Sequence, residues 1–169
     1  MKNKEKFPQN LPSHTPKPKK EEAEFGPGKK DIIICPECGC VYYFKSWHHR
    51  LEDYPHLKED KNVNFSLCPA CQMIKEGKFE GEILIENCPK EIEKELIALV
   101  KNMGEKAFEK DPQDRVISIK KLKKGKIQVL TTENVLAIKI AKKIKETFKG
   151  KLKIVFSKEE STARAKISF

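Results

Sequence analysis

The sequence predicts an α+β protein in two structured parts: an N-terminal ribbon built on two C-x2-C knuckles, then an α-β-β-α-β-β domain with an antiparallel four-stranded sheet. Three observations predict it. Two cysteine pairs, Cys35-Pro36-Glu37-Cys38 and Cys68-Pro69-Ala70-Cys71, share one spacing. After Pro89, stretches of helical apolar periodicity alternate with paired stretches of period two. Charge is also divided unevenly: residues 1–30 hold 8 basic and 4 acidic groups, residues 31–112 hold 11 and 16, and residues 113–169 hold 16 and 5. The 169 residues thereby divide into a basic, Pro-rich tail (1–30), the ribbon (31–86) and a basic α+β domain (87–169).

The tail carries Pro8, Pro12, Pro16, Pro18 and Pro27 with little apolar surface beyond Phe7, Leu11 and Phe25. Such a segment cannot bury enough to offset ordering entropy, so disorder is expected. Asp31 to Ile34 reads as a strand entering the first knuckle, and Val41 to Phe44 as its return. Lys45 to about Tyr54 reads as a helix, because Trp47, Leu51 and Tyr54 recur at spacings of four and three. Gly81 to Glu86 is a brief strand that closes the ribbon part.

Pro89 opens a helix running to about Lys110, with Ile92, Leu96, Leu99, Val100, Met103 and Phe108 as its apolar stripe and Gly104 as its weak point. Arg115 to Leu122 is a strand with Ile117 and Ile119 inward, Lys123-Lys124-Gly125-Lys126 a turn, and Ile127 to Thr131 the partner strand. Thr132 is placed to cap a helix whose Leu136, Ile140, Ile144 and Phe148 recur every fourth residue, with Gly150 as its stop. Two alternating stretches, around Leu152–Phe156 and Ala163–Ile167, complete the pattern. That order builds a sheet with both helices on one face and the other face open.

Each knuckle is a tight turn aiming two sulfurs at one spot, and together they supply four thiolates, the ligand set of a structural Zn²⁺ site. Gly39 provides the sharp turn after the first knuckle; Gln72 stands at the equivalent place after the second. Four thiolates on Zn²⁺ leave a net charge of about −2 and no coordination position for a substrate, which argues against metal catalysis. Disulfides or packing cysteines are the alternatives, and the matched spacing with Pro inside both knuckles favours metal. Cys40 and Cys88 read as small packing residues, with Cys38 preferred over Cys40 as ligand. His48 and His49 are weaker ligand candidates.

The knuckles, the Trp47 segment, the Cys68-Pro69-Ala70-Cys71 turn followed by Ile74-Lys75-Glu76-Gly77, and the Thr131-Thr132 helix start together resemble a family of small, poorly characterised bacterial zinc-ribbon proteins. That family is distantly similar to the N-terminal region of the archaeal and eukaryotic large-subunit ribosome export adaptor, which has more cysteine pairs than this chain. The likeness covers most of residues 31–169. It implies zinc at Cys35, Cys38, Cys68 and Cys71 and a ribosomal or RNA partner, and it supplies no catalytic residue. The knuckles, the spacer length and the pair Tyr42-Tyr43 also resemble rubredoxin, an iron electron-transfer protein. The helical reading of Trp47-His48-His49-Arg50 and the missing Gly after Cys71 speak against that second likeness.

The positive excess in the last third is the footprint expected of a surface that meets a polyanion. The leading expectation is therefore a zinc-stabilised RNA-binding protein associated with the ribosome. Its phosphate contacts would come from Lys120, Lys121, Lys123, Lys124, Lys126, Lys151, Lys153, Arg164 and Lys166. A rubredoxin-like iron electron carrier and a protein-interaction adaptor without nucleic acid are the alternatives. No Gly-rich phosphate loop, catalytic triad pattern or open metal site is present in the sequence, so neither enzyme activity nor a small-molecule substrate is expected. No apolar run reaches bilayer length and the N-terminus is too polar for a signal peptide, which points to the cytoplasm.

Overall fold

A computed structural model describes residues 32–43, 45–50, 63–157 and 162–169 of the chain. The proposed tail of residues 1–30 lies outside the described residues. Two sheets organise the rest, one of four strands and one of five.

The smaller sheet belongs to the ribbon. Strand β1 (Ile32–Ile34) pairs antiparallel with β2 (Val41–Tyr43), which pairs antiparallel with β3 (Ser46–His48). On its other edge β1 pairs parallel with β4 (Val63–Phe65), giving the order β3-β2-β1-β4. The segment expected to be helical from Lys45 is therefore a strand through His48, and the remainder of that expectation, 51–54, lies outside the described residues. The reason is a cross-strand contact: Tyr42 opposes Trp47, their ring centroids 5.4 Å apart, and this pairing overrides the local helical spacing. A short helix follows, α1 (Pro69–Lys75), with Pro at its first turn and Cys68 as its N-cap.

The larger sheet is built from β5 (Gly81–Glu86), β6 (Val116–Leu122), β7 (Lys126–Thr131), β8 (Lys151–Phe156) and β9 (Ala163–Ser168), in the order β6-β7-β5-β9-β8. It corrects the expectation of four antiparallel strands. The strand Gly81–Glu86, assigned from the sequence to the ribbon, is the centre of this sheet; it pairs antiparallel with β7 and parallel with β9. A central strand explains the burial of Ile83 and Ile85, both fully inaccessible. The hairpins β6–β7 and β8–β9 occupy its two flanks.

Two helices, α2 (Lys90–Lys110) and α3 (Asn134–Phe148), cover one face. Leu96 and Val100 of α2 and Leu136, Ile140 and Ile144 of α3 join Ile83, Ile85, Ile127, Val129, Ala165 and Ile167 in a single core. Each fully buried Leu or Ile contributes about 1.5–3 kcal/mol, so this shared face supplies most of the domain's driving force. Helix α3 ends with Lys149 in the left-handed region (φ 62°), one residue ahead of the expected stop at Gly150. In β6 the register shifts between Val116 and Ser118, so Val116 and Ile119 face the core. Ile117, expected inward, instead lines a shallow groove with Lys101, Gly104 and Phe108.

Gly104 does not interrupt α2. A Cβ there would stand 2.7 Å from Val116 Cγ2, so the helix can approach β6 only without one. Helix propensity alone would make Gly104→Ala stabilising by about 1 kcal/mol. Overpacking against a β-branched side chain costs about 1–3 kcal/mol and should win. We expect Gly104→Ala to lower the denaturant midpoint of unfolding; a raised midpoint would show that Val116 yields to the added methyl at less cost than the helix gains.

Candidate metal centre

The first knuckle is the turn of the β1–β2 hairpin. Cys35 N–H donates to the Cys40 carbonyl (2.8 Å) and Gly39 N–H to the Cys35 carbonyl (2.9 Å), closing the loop with Gly39 at φ 72°. The second knuckle runs into α1, where the Cys71 N–H donates to Cys68 Sγ at 3.4 Å, so a thiol does the capping work usually given to a hydroxyl. These two turns bring the sulfurs of Cys35, Cys38, Cys68 and Cys71 within 4.8 Å of one another, a group that can hold a metal ion. Cys35, Cys68 and Cys71 are buried and Cys38 partly so.

The ribbon's interior is otherwise thin. Its buried cluster consists of the cysteines and Ala70, with Trp47 and Leu67 packed against it, and Ile32 with Val41 form a small separate pair. Strands of three residues with so little apolar burial need a staple, which four thiolates would supply on binding a metal.

A residue that sequence reasoning missed completes the centre. Arg115 donates from Nη2 to Cys38 Sγ (3.2 Å) and from Nη1 to Cys71 Sγ (3.4 Å), with longer contacts from Nη2 to Cys40 Sγ (3.7 Å) and Cys68 Sγ (3.8 Å). Its Nε is anchored on the Pro112 carbonyl at 2.7 Å, and its guanidinium carbon lies 5.2 Å from the Phe108 ring centroid. Thr132 fixes the segment that presents it: the Thr132 hydroxyl donates to the Gln113 carbonyl (2.6 Å) and accepts from Arg115 N–H (2.8 Å). The expected helix cap at Thr132 is thus corrected. Glu133 is the N-cap of α3 and makes no side-chain capping bond, while the Thr132 side chain is used across the domain. Gln113 adds a second link, its Oε1 accepting from the Ala70 N–H at 3.0 Å.

These contacts separate the two neighbouring sulfurs of the first knuckle. Burial raises the Cys38 thiol, but the Arg115 hydrogen bond and those around Cys40 and Cys35 outweigh it and bring the pKa down to about 6. Cys40 is pushed the other way, to about 12, by burial and then by the adjacent Cys38. The four sulfurs that lie together include Cys38 and not Cys40, so position makes Cys38 the ligand candidate of the two. Burial likewise raises Cys68 and Cys71. Cys88 belongs to the core of the larger domain, as expected of a packing residue.

Neither His48 nor His49 belongs to the four-sulfur group. His48 Nε2 lies 3.0 Å from Ser46 Oγ and 3.1 Å from the Tyr43 carbonyl, and the His49 ring meets Phe108 edge-on at 4.9 Å. With residues 46–48 in a strand, the helical spacer that distinguished this chain from rubredoxin no longer separates the two likenesses.

The lysines named from the sequence fall into two sets. On the sheet face away from the helices, Lys126 and Lys166 both pair with Glu86 (2.8 and 2.7 Å) and Arg164 pairs with Glu82 (3.5 Å). Lys121 pairs with Glu93 of α2 instead. Lys120, Lys123, Lys124, Lys151 and Lys153 are exposed and have no ion-pair partner among the described residues. No protein-family model matches the chain, and a search of curated proteins returns no match.

Changing any one of Cys35, Cys38, Cys68 or Cys71 to Ser should release the bound metal and unfold the ribbon, because binding free energy at such a centre is folding free energy. Cys40→Ser and Cys88→Ser should keep about one metal equivalent, as read by elemental analysis of purified protein. Loss of metal from Cys40→Ser would reassign the fourth ligand.

Proposed function

We propose that this chain is a zinc-stabilised RNA-binding protein that works on the ribosome, touching phosphates with the open side of its five-stranded sheet. The observation that carries the reading is where the unpaired lysines lie. Lys120, Lys123 and Lys124 sit on or beside the β6 edge, and Lys151 and Lys153 lie on β8 at the opposite edge. Register places Lys120 opposite Gln128 and Lys153 opposite Lys166, with Leu84 of β5 between those two partners in one row. Four inter-strand spacings separate the edges, roughly 19 Å at about 4.8 Å each. Between them the carboxylates of Glu82 and Glu86 neutralise part of the charge of Arg164, Lys126 and Lys166.

Side chains of this kind read backbone charge and shape. The rows that face away from the helices contain Ser118, Lys120, Leu122, Gln128, Leu130, Leu84, Val155 and the charged groups just named, and no aromatic ring on which a base could stack. Phosphate contact therefore accounts for the recognition better than base stacking. Zinc is the ion of choice because a closed set of four thiolates is its commonest structural site. The resemblance noted above supplies the ribosome as the place to look.

The experiment is co-sedimentation with ribosomes across a salt series. Wild-type protein should leave the pellet steeply as salt rises. Changing Lys120, Lys123 and Lys124 together to Ala should reduce the slope of log affinity against log salt by roughly 0.7–0.9 for each phosphate that is no longer neutralised. Lys126→Ala should matter less, since Glu86 already balances it. Reversing Lys94 and Lys101 on α2 should leave binding near wild type. Protein that stays in the supernatant at low salt, or pellets equally without the three lysines, would move the adaptor reading ahead.

A further inference from the structure

The strongest unexplained feature outside the lysine face is the single guanidinium aimed at four sulfurs. Arg115 is half-buried, and no carboxylate among the described residues pairs with it. Its two terminal nitrogens are directed at Cys38 and Cys71, one cysteine from each knuckle. Three anchors hold it there: the Pro112 carbonyl on Nε, the Phe108 ring beneath, and Thr132 on its own backbone N–H. The charge is thus built into the larger domain and delivered to the ribbon from outside the ribbon's own sequence, 44 residues beyond Cys71.

From this geometry we infer that Arg115 is the fixed counter-charge of the metal centre and biases it toward holding a divalent rather than a trivalent ion. Four thiolates on a divalent ion carry a net charge of −2, and the same thiolates on a trivalent ion carry −1. A permanent positive charge in hydrogen-bond contact with the sulfurs stabilises the more negative state more strongly, and N–H···S bonds act in the same sense by drawing electron density from the sulfurs. The sulfur contacts are held by a planar fork that stays charged at all relevant pH, so the bias does not fade as pH changes. A merely packing role for Arg115 would leave the preference between oxidation states unchanged. The inference concerns the centre alone and stands or falls independently of RNA binding.

Iron is the probe that reads it, because Fe²⁺ and Fe³⁺ occupy the same four sulfurs and differ by one electron. Full-length protein loaded with iron is titrated electrochemically, and the Fe³⁺–thiolate visible absorption confirms that the thiolates ligate. Arg115→Gln and Arg115→Met remove the charge with different shapes, while Arg115→Lys keeps a charge and loses the fork. Both neutral variants should have a lower midpoint potential than wild type, by at least tenfold in the Fe²⁺/Fe³⁺ equilibrium, about 59 mV for a one-electron couple. Arg115→Lys should stay nearer wild type than either. A neutral variant with the Fe³⁺–thiolate spectrum and an unchanged or raised potential would overturn the inference. So would disappearance of that spectrum in both neutral variants, since Arg115 would then be needed to assemble the thiolates rather than to bias their ion.

Discussion

Bringing four sulfurs to within 4.8 Å of one another is the constraint on which the ribbon depends. Thiolates at that distance repel, so the arrangement demands positive charge at its centre and benefits from more outside it. A bound ion would answer the first demand, and Arg115 answers the second. Everything near the centre is arranged to these ends: Gly39 turns the chain back, α1 begins on Cys68, and Thr132 steers a guanidinium from the neighbouring domain onto the cluster. The hydrogen bond from Ala70 to Gln113 and the edge contact of His49 with Phe108 reinforce the same junction. The two cores remain separate, one of cysteines and one of isoleucines and leucines, so polar contacts carry much of the connection between them.

How much of this could be read beforehand depended on the range of the interaction. Two identical C-x2-C spacings announce their chemistry locally, and the described geometry gathers those same four cysteines. Leu136, Ile140 and Ile144 announced the buried face of α3 by their period alone, because a helix satisfies its own backbone and needs only one partner surface. Strands carry no such information about whom they pair with. Gly81–Glu86 showed which of its faces is apolar but not that a hairpin would lie on each side of it, so it was attached to the wrong part of the chain.

Arg115 illustrates the harder case. In the sequence it is one basic group among many in a basic third, and its only local signal is isolation: it follows Asp111-Pro112-Gln113-Asp114 rather than lying in a lysine run. Its role appears only when Thr132 and Phe108, distant in sequence, position it. Ser46–His48 failed for a similar reason, since Trp47 satisfied a helical spacing and an aromatic cross-strand pair equally well on paper. Charge counting had a related blind spot. Nine cationic residues looked equivalent until Glu82, Glu86 and Glu93 were found against four of them.

The central place of β5 sets the order in which the larger domain can be assembled. Its partners are Ala163–Ser168 on one side and Lys126–Thr131 on the other, so Gly81 must wait for a residue 82 positions later before its parallel edge is satisfied. The hairpins β6–β7 and β8–β9 close short loops and can form early, whereas the parallel pairing has a long loop to close and forms slowly. Until it does, an alternating strand with at least one bare edge and an apolar face is exposed to other chains. During synthesis, therefore, the dangerous interval for this protein opens when Gly81–Glu86 leaves the ribosome and closes only when Ser168 has followed it.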